Sequence, residues 1–388
     1  MGRPNRSEQF NPDEVCIVHT IQRCVRRAFL AGVDQQSGKD FSYRREWIRR
    51  RLESLASVFG IDVLTYAVMS NHIHTILRNR PDVVAKWTDE EVAIRWLSVF
   101  PGQRLEELHL AQPTEIQVYT LANNPTEIKK IRRRLSDISW FMRALAEPIA
   151  RMANKEDECT GRFWEGRFKA QRITDEAGLL ACAMYVDLNP VRAAMAQSPE
   201  DSLHTSAYDR IHAEQGAEIE SSAFELEAIP QAEVAKERTT KTVDQLRKDR
   251  KAKRKSPTGR SVLRDSWLAP LTMDEGILAK DAQASSSRLR ASDKGFLSLR
   301  LGEYVELLSW TARQRIKELA EEIPESLKSV LSKVGIEASM WRDLVWNFKR
   351  YFGKSSCAGS PKSMSADAER HGKRWHRGQA QVRECFAS

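Results

Sequence analysis

The sequence predicts an α+β fold, an antiparallel sheet with helices packed against it, followed by a mainly helical C-terminal region. Three observations carry this. Short β-rich runs with period-two alternation fall before residue 80. Turn residues join two of these runs as a hairpin. Between and after them lie runs with apolar residues every three or four positions, helices that need a sheet to bury their stripes.

Val15, Ile17, His19 and Ile21 alternate with Cys16, Val18 and Thr20, which predicts the first strand. Arg44 to Phe59 predicts a helix, with Trp47, Ile48, Leu52, Leu55 and Phe59 on one side and Gly60 as its stop. Ile61 to Met69 and His72 to Leu77 are β-rich, and Ser70-Asn71 between them is turn chemistry. Thr88-Asp89-Glu90-Glu91 reads as a capping box opening a short helix. One long helix is expected next: Ile128, Ile131, Leu135, Ile138, Met142, Leu145, Ile149 and Met152 form a continuous stripe, kinked at Pro148. Gly161 to Ala170 reads as a strand with Trp164 and Phe168 on one face and Arg167 and Lys169 on the other. Glu176 to Leu188 predicts a helix ended by Pro190.

The 388 residues suffice for two or three domains. With 41% hydrophobic and 30% charged residues, a wholly disordered chain is excluded. No run approaches the roughly 20 apolar residues of a membrane span, so no membrane partner is expected. The polar start Met1-Gly2-Arg3-Pro4-Asn5-Arg6 has no apolar run behind it, and the expected location is the bacterial cytoplasm or nucleoid. The net charge of +9 favours a polyanionic partner, nucleic acid first, with a solvated basic surface as the alternative. The six cysteines form no C-x-x-C pair and are expected as reduced thiols, Cys16 and Cys182 as small core residues.

Three segments divide the chain. Residues 1–212 are dense in apolar and aromatic side chains. Residues 213–262 read as a charged linker, acidic at first and then strongly basic, with a basic arm from Arg247 to Lys255. Residues 263–388 form a C-terminal helical extension that looks loose after Gly353.

Three features can carry chemistry. On a strand, His72 and His74 point the same way, as two metal ligands would; a merely polar sheet face is the alternative. With no thiolate nearby, Mg²⁺ or Mn²⁺ in a mixed N/O site is as plausible as Zn²⁺. Tyr185 lies four residues before Asn189, so both can share a helix face; a packed ring is the usual role of such a tyrosine. From Lys129 to Arg172 twelve basic residues stand against six acids, an excess able to neutralise phosphates or simply to solvate a helix.

Ala67-Val68-Met69-Ser70-Asn71-His72-Ile73-His74 resembles the HUH motif of single-tyrosine transposases. The stretches from Gly161 to Lys169 and from Tyr185 to Ala193 resemble two further blocks of that superfamily, in the same order, and are most similar to REP-associated tyrosine transposases. The resemblance covers about residues 12–212. It implies a ferredoxin-like HUH nuclease core, an antiparallel sheet with helices on one side. It also implies a transposase that cleaves and rejoins single-stranded or hairpin DNA through a 5′-phosphotyrosine, with a divalent metal, Mg²⁺ or Mn²⁺. By that resemblance His72, His74 and Asn189 hold the metal, and Tyr185 is the nucleophile. Arg162, Arg167, Lys169 and Arg192 contact nucleic acid, and a homodimer is the expected assembly. The wide spacing between the histidines and Tyr185 implies an insertion at about 81–124. Two alternatives stay open: a domesticated hairpin-binding protein that does not transpose, and a metal-dependent hydrolase with a structural tyrosine.

Overall fold

A computed structural model describes residues 9–25, 30–33, 38–102, 110–224, 260–273, 276–315 and 321–386. The basic arm from Arg247 to Lys255 lies outside them.

Strand β1 (Ile17–Arg23) leads through helix α1 (Arg44–Val58) to β2 (Ile61–Val68) and β3 (His72–Asn79). The hairpin forms at Ser70-Asn71 as expected, with Met69 N–H donating to His72 O at 2.9 Å. A helical segment follows: α2 (Pro81–Val84), α3 (Asp89–Val99), α4 (Glu115–Ala122), α5 (Pro125–Leu135) and α6 (Ile138–Glu156). The chain then enters β4 (Lys169–Ile173) and α7 (Glu176–Asp187). The sheet order β2-β3-β1-β4 with all neighbours antiparallel is the β-α-β-β-α-β arrangement of ferredoxin-like folds.

The sheet separates two apolar clusters, because side chains alternate along each strand. Val18, Ile73 and Leu77 face α1 and α6, among Leu52, Leu55, Phe141 and Leu145. Ile17, Ile76 and Ile173 face the other way, towards α7 and the C-terminal region. Helices on one side therefore describe only the two crossover helices; the second face is covered as well.

The long helix predicted across Ile128 to Met152 is two helices. Ser136 and Asp137 interrupt it, and Asp137 caps α6 by accepting from Ser139 N–H at 2.6 Å. The apolar stripe survives the break because Leu135 and Ile138 remain three apart and enter the same cluster. Helix α6 continues through Pro148, whose missing N–H frees the Ala144 carbonyl. Buried Arg51 donates its Nε to that carbonyl at 3.1 Å. Thr88 caps α3 by accepting from Glu91 N–H, while the Glu91 carboxylate holds Arg95 at 2.7 Å.

Gly161 to Phe168 is not regular strand. It runs beside the end of β1, with Val25 N–H on Phe163 O and Glu165 N–H on Arg23 O. It then breaks at Gly166, where φ is 158°. The expected division of faces holds all the same: Trp164 and Phe168 join the apolar cluster under α6.

Helix α7 ends at Asp187, and Pro190 sits in the first turn of α8 (Asn189–Arg192). Helix α9 (Ser206–Glu214) leads to β5 (Glu218–Glu220), which pairs with β6 (Ser261–Leu263), so both ends of the charged segment are tied together. Helices α10 (Leu301–Arg313), α11 (Glu325–Lys333), α12 (Ala338–Trp346) and α13 (Phe348–Phe352) pack over the second sheet face.

The end of the chain is ordered, against expectation. Strand β7 (Cys357–Ala358) adds to the sheet parallel to β4, making an otherwise antiparallel sheet mixed. Helices α14 (Pro361–Arg370) and α15 (Gln379–Val382) follow. Close backbone packing explains the glycine there: a Cβ on Gly359 would stand 2.1 Å from Thr174 Oγ1. Arg172 pairs with Asp367 and locks the strand to α14. A second buried pair, Arg78 with Asp62 at 2.8 Å, also accepts the Ser292 hydroxyl and so joins the hairpin to the C-terminal region. Cys182 is fully buried as expected, and Cys16 is half-buried.

Candidate active site

The candidate site lies on the second sheet face. In β3 the side chains of His72, His74 and Ile76 share that face. The register sets Ile21 of β1 opposite His74 and His19 opposite Ile76, and sets Lys169 and Gln171 of β4 opposite Ile21 and His19. The His72 and His74 rings are 4.8 Å apart, and the Tyr185 ring of α7 meets His74 edge-on at 5.6 Å. Tyr185 and the histidine pair, 111 positions apart in sequence (185 − 74), are thus brought together.

Sequence reasoning missed His19. Its Nε2 is 2.9 Å from His74 Nδ1, and the two rings stack. Its place in an alternating strand was legible, but the strand pairing that sets it beside His74 was not.

All three imidazoles are neutral at ordinary pH. Burial pushes His19 down to about 3, helped by Lys349 and His72 against a hydrogen bond from Gln171. Burial, then Lys349 and Arg23, push His72 down to about 4. Burial, then His19, His72, Lys349 and Arg192, hold His74 well below the usual histidine range. Neutral imidazole is the form that ligates metals.

An open cavity of about 310 Å³ reaches the histidines. His72, His74, Asn71 and Ile21 form its floor, and Arg23, Arg167, Lys169 and Lys349 bring positive charge to its walls beside Glu165 and Gly166. Of the basic residues expected to contact nucleic acid, Arg167 and Lys169 line this cavity. Arg162 is exposed on the preceding loop and is not among the walls. Arg192 lies over the Tyr185 ring at 4.9 Å and donates to the carbonyls of Val345 and Trp346. Much of the remaining basic tract is engaged in ion pairs: Arg132 with Asp89, Arg133 with Asp13, Arg143 and Arg151 with Glu147.

Tyr185 stands behind the cavity, 1% exposed. Phe348 of α13 stacks on its ring at 4.7 Å. Its hydroxyl is buried without a hydrogen-bond partner, and burial pushes its pKa up to about 12 against the lowering effect of Arg192. Asn189 is buried beside it and donates its Nδ2 to the Tyr185 carbonyl at 2.8 Å. The helix is held from behind by buried Asp187, which accepts from Ser206 Oγ and from the Tyr304 hydroxyl.

The donor set fits a divalent cation. With the Asn71 carboxamide oxygen accepting from His72 Nδ1 at 2.5 Å, His72 Nε2 keeps its lone pair. His74 Nε2 is buried and has no hydrogen-bond partner. An orphaned ring nitrogen whose opposite nitrogen is engaged is the pattern of a metal-ligating histidine.

A second group, Cys357, Asp367 and His376, offers ligand atoms all within 4.8 Å of one another and could hold a metal ion. Asp367 there already receives Arg172 and His376.

No family model matches this chain, and no curated protein matches it. Among solved structures, a REP-associated tyrosine transposase bound to a REP hairpin is similar at a TM-score of 0.30 and 10% identity, over 51% of this chain and 79% of that one. Among the described residues, no helix is long and apolar enough to cross a membrane.

Proposed function

We propose that this protein is a metal-dependent tyrosine transposase or endonuclease acting on single-stranded or hairpin DNA. One observation carries the reading: two imidazoles with bare Nε2 atoms share a basic cavity's floor and stand against a buried, unpartnered tyrosine hydroxyl.

His72 and His74 would hold the cation, Mg²⁺ or Mn²⁺, with Asn189 as the proposed third ligand. When bound, the ion supplies Lewis-acid polarisation of a phosphodiester oxygen and stabilises the charge that builds there. Arg23, Arg167, Lys169 and Lys349 neutralise and steer the backbone on either side of the bond. The Tyr185 oxygen attacks phosphorus, the P–O3′ bond breaks, and the departing 3′ oxygen takes a proton from water as Tyr185 gives up its own. The products are a 5′-phosphotyrosine and a free 3′-OH. The ester retains the bond energy, so a second 3′-OH can reverse the step and rejoin strands. Since Phe348 covers the tyrosine, α13 must shift before a phosphodiester can reach it.

That cover favours one other reading, a metal-dependent hydrolase in which Tyr185 is structural. Incubation with labelled single-stranded DNA and Mn²⁺ separates the two. A covalent adduct that vanishes in Tyr185→Phe supports the transposase chemistry. Cleavage by water with no adduct overturns it.

A further inference from the structure

We propose that Gln171 and His19 are positioning residues: they form a hydrogen-bond relay, anchored on the C-terminal region, that fixes His74 in the tautomer with a bare Nε2. The metal-binding role of that nitrogen rests on the reading above.

The relay follows from donor and acceptor identities. The Gln171 side-chain nitrogen donates to the carbonyls of Phe352 at 2.6 Å and Ser355 at 3.0 Å. Carbonyls only accept, so the amide group must face them, and the Gln171 oxygen must face away. His19 is the register partner of Gln171 on the neighbouring strand and hydrogen-bonds its side chain. The oxygen accepts, so the His19 nitrogen facing it carries the proton. His19 Nε2 is engaged with His74 Nδ1, so that nitrogen is Nδ1. A neutral imidazole has one N–H, which leaves His19 Nε2 as an acceptor. His74 Nδ1 must then donate to it, and His74 Nε2 is left with a lone pair. That atom is buried and unpartnered. Each link admits one polarity, and the polarity is set by two main-chain carbonyls near the end of the chain.

A structural account of His19 as a buried polar residue satisfied by its neighbour makes no demand on the direction of the proton. The relay does. It also predicts that ligand basicity depends on residues that never touch the metal; loss of such partners costs about 10–100-fold in metal affinity.

The test uses the full chain with ¹⁵N-labelled histidine, His74→Ala serving to assign the His74 signals. Long-range ¹H–¹⁵N spectra read the tautomer without metal, and Mn²⁺ titration followed by electron paramagnetic resonance reads affinity. The wild type should show His74 protonated on Nδ1. His19→Phe should move the proton to Nε2 and weaken Mn²⁺ about 10–100-fold. His19→Gln, whose amide can accept and donate along the same line, should restore both. Gln171→Leu breaks the relay one link earlier and serves if His19→Phe does not fold; it should shift the tautomer in the same direction. A wild-type His74 protonated on Nε2 overturns the relay, and so does Mn²⁺ affinity equal in wild type, His19→Phe and Gln171→Leu. A wild type with the Nδ1–H tautomer that binds no Mn²⁺ upholds the relay and overturns the metal reading instead.

Discussion

Two buried clusters contain histidine, and they end differently. Around Asp367 both ring nitrogens of His376 are engaged, Nε2 with the Asp367 carboxylate at 2.8 Å and Nδ1 with Ser356 Oγ at 3.1 Å. The carboxylate also receives the Arg172 guanidinium. A cation arriving there would have to displace a charge already in place. Around His74 the hydrogen bonds run one way and stop at an empty nitrogen. Buried polar groups are normally satisfied, so saturation marks the first cluster as a clamp between β4 and α14, and the unfilled valence marks the second as the seat of chemistry.

The sharpest way to break this contrast is at Tyr185. Tyr185→Phe removes one oxygen and keeps the packing; adduct formation on single-stranded DNA should disappear altogether in a gel assay, with DNA affinity nearly unchanged. Next in size, His74→Ala should abolish measurable Mn²⁺ binding by calorimetry, and EDTA should stop cleavage by the wild type. Persistent cleavage in excess chelator would return the histidine pair to a polar sheet face.

Asp367→Ala probes the saturated cluster. Breaking a buried pair leaves Arg172 uncompensated and should cost about 3–5 kcal/mol in denaturant unfolding. Burial alone would push the Asp367 carboxyl up, but hydrogen bonds from His376 and Arg172 outweigh it and hold it far below the usual carboxylate range. The folded pKa lies below the unfolded one. The contribution is therefore complete above about pH 4 and is lost as pH falls below that value. The variant's stability should accordingly converge on the wild type's in acid. Convergence on raising the pH would contradict the assignment.

The smallest effect belongs to Phe348→Ala. An aromatic pair is worth about 0.5–1.5 kcal/mol, so uncovering Tyr185 should become about 2- to 10-fold easier, seen as faster adduct formation at saturating DNA. A slower rate would mean that Phe348 orients the ring and does not merely cover it.

Much of this was legible in the sequence for a definite reason. Period two in His72-Ile73-His74 fixes which side chains share a face, whatever the strand pairs with. Helix α1 and the hairpin are local and carry their own stop signals in Gly60 and Ser70-Asn71. The break at Ser136-Asp137 was hidden because steps of three and four cross it unchanged. His19 was hidden because its role depends on register with β3, a long-range property. Strand β7 is too short to show any period, and its pairing with Arg172 and Ile173 is visible only in three dimensions. The region after Gly353 read as loose because its Ser, Gly and Lys content lacks an apolar pattern, yet Gly359 is required there by close packing.

The anchoring of Gln171 by Phe352 and Ser355 gives synthesis a direction. A ribosome makes the histidine pair and the tyrosine early and the two anchoring carbonyls late. At about 5–20 residues per second, the stretch from Tyr185 to Ala358 takes on the order of 10–30 s. Throughout that interval the nascent chain holds its reactive groups without the support that orients His74. The enzyme is born unarmed, and a message truncated before residue 352 yields a chain that carries the motifs of a nuclease without the ligand geometry of one.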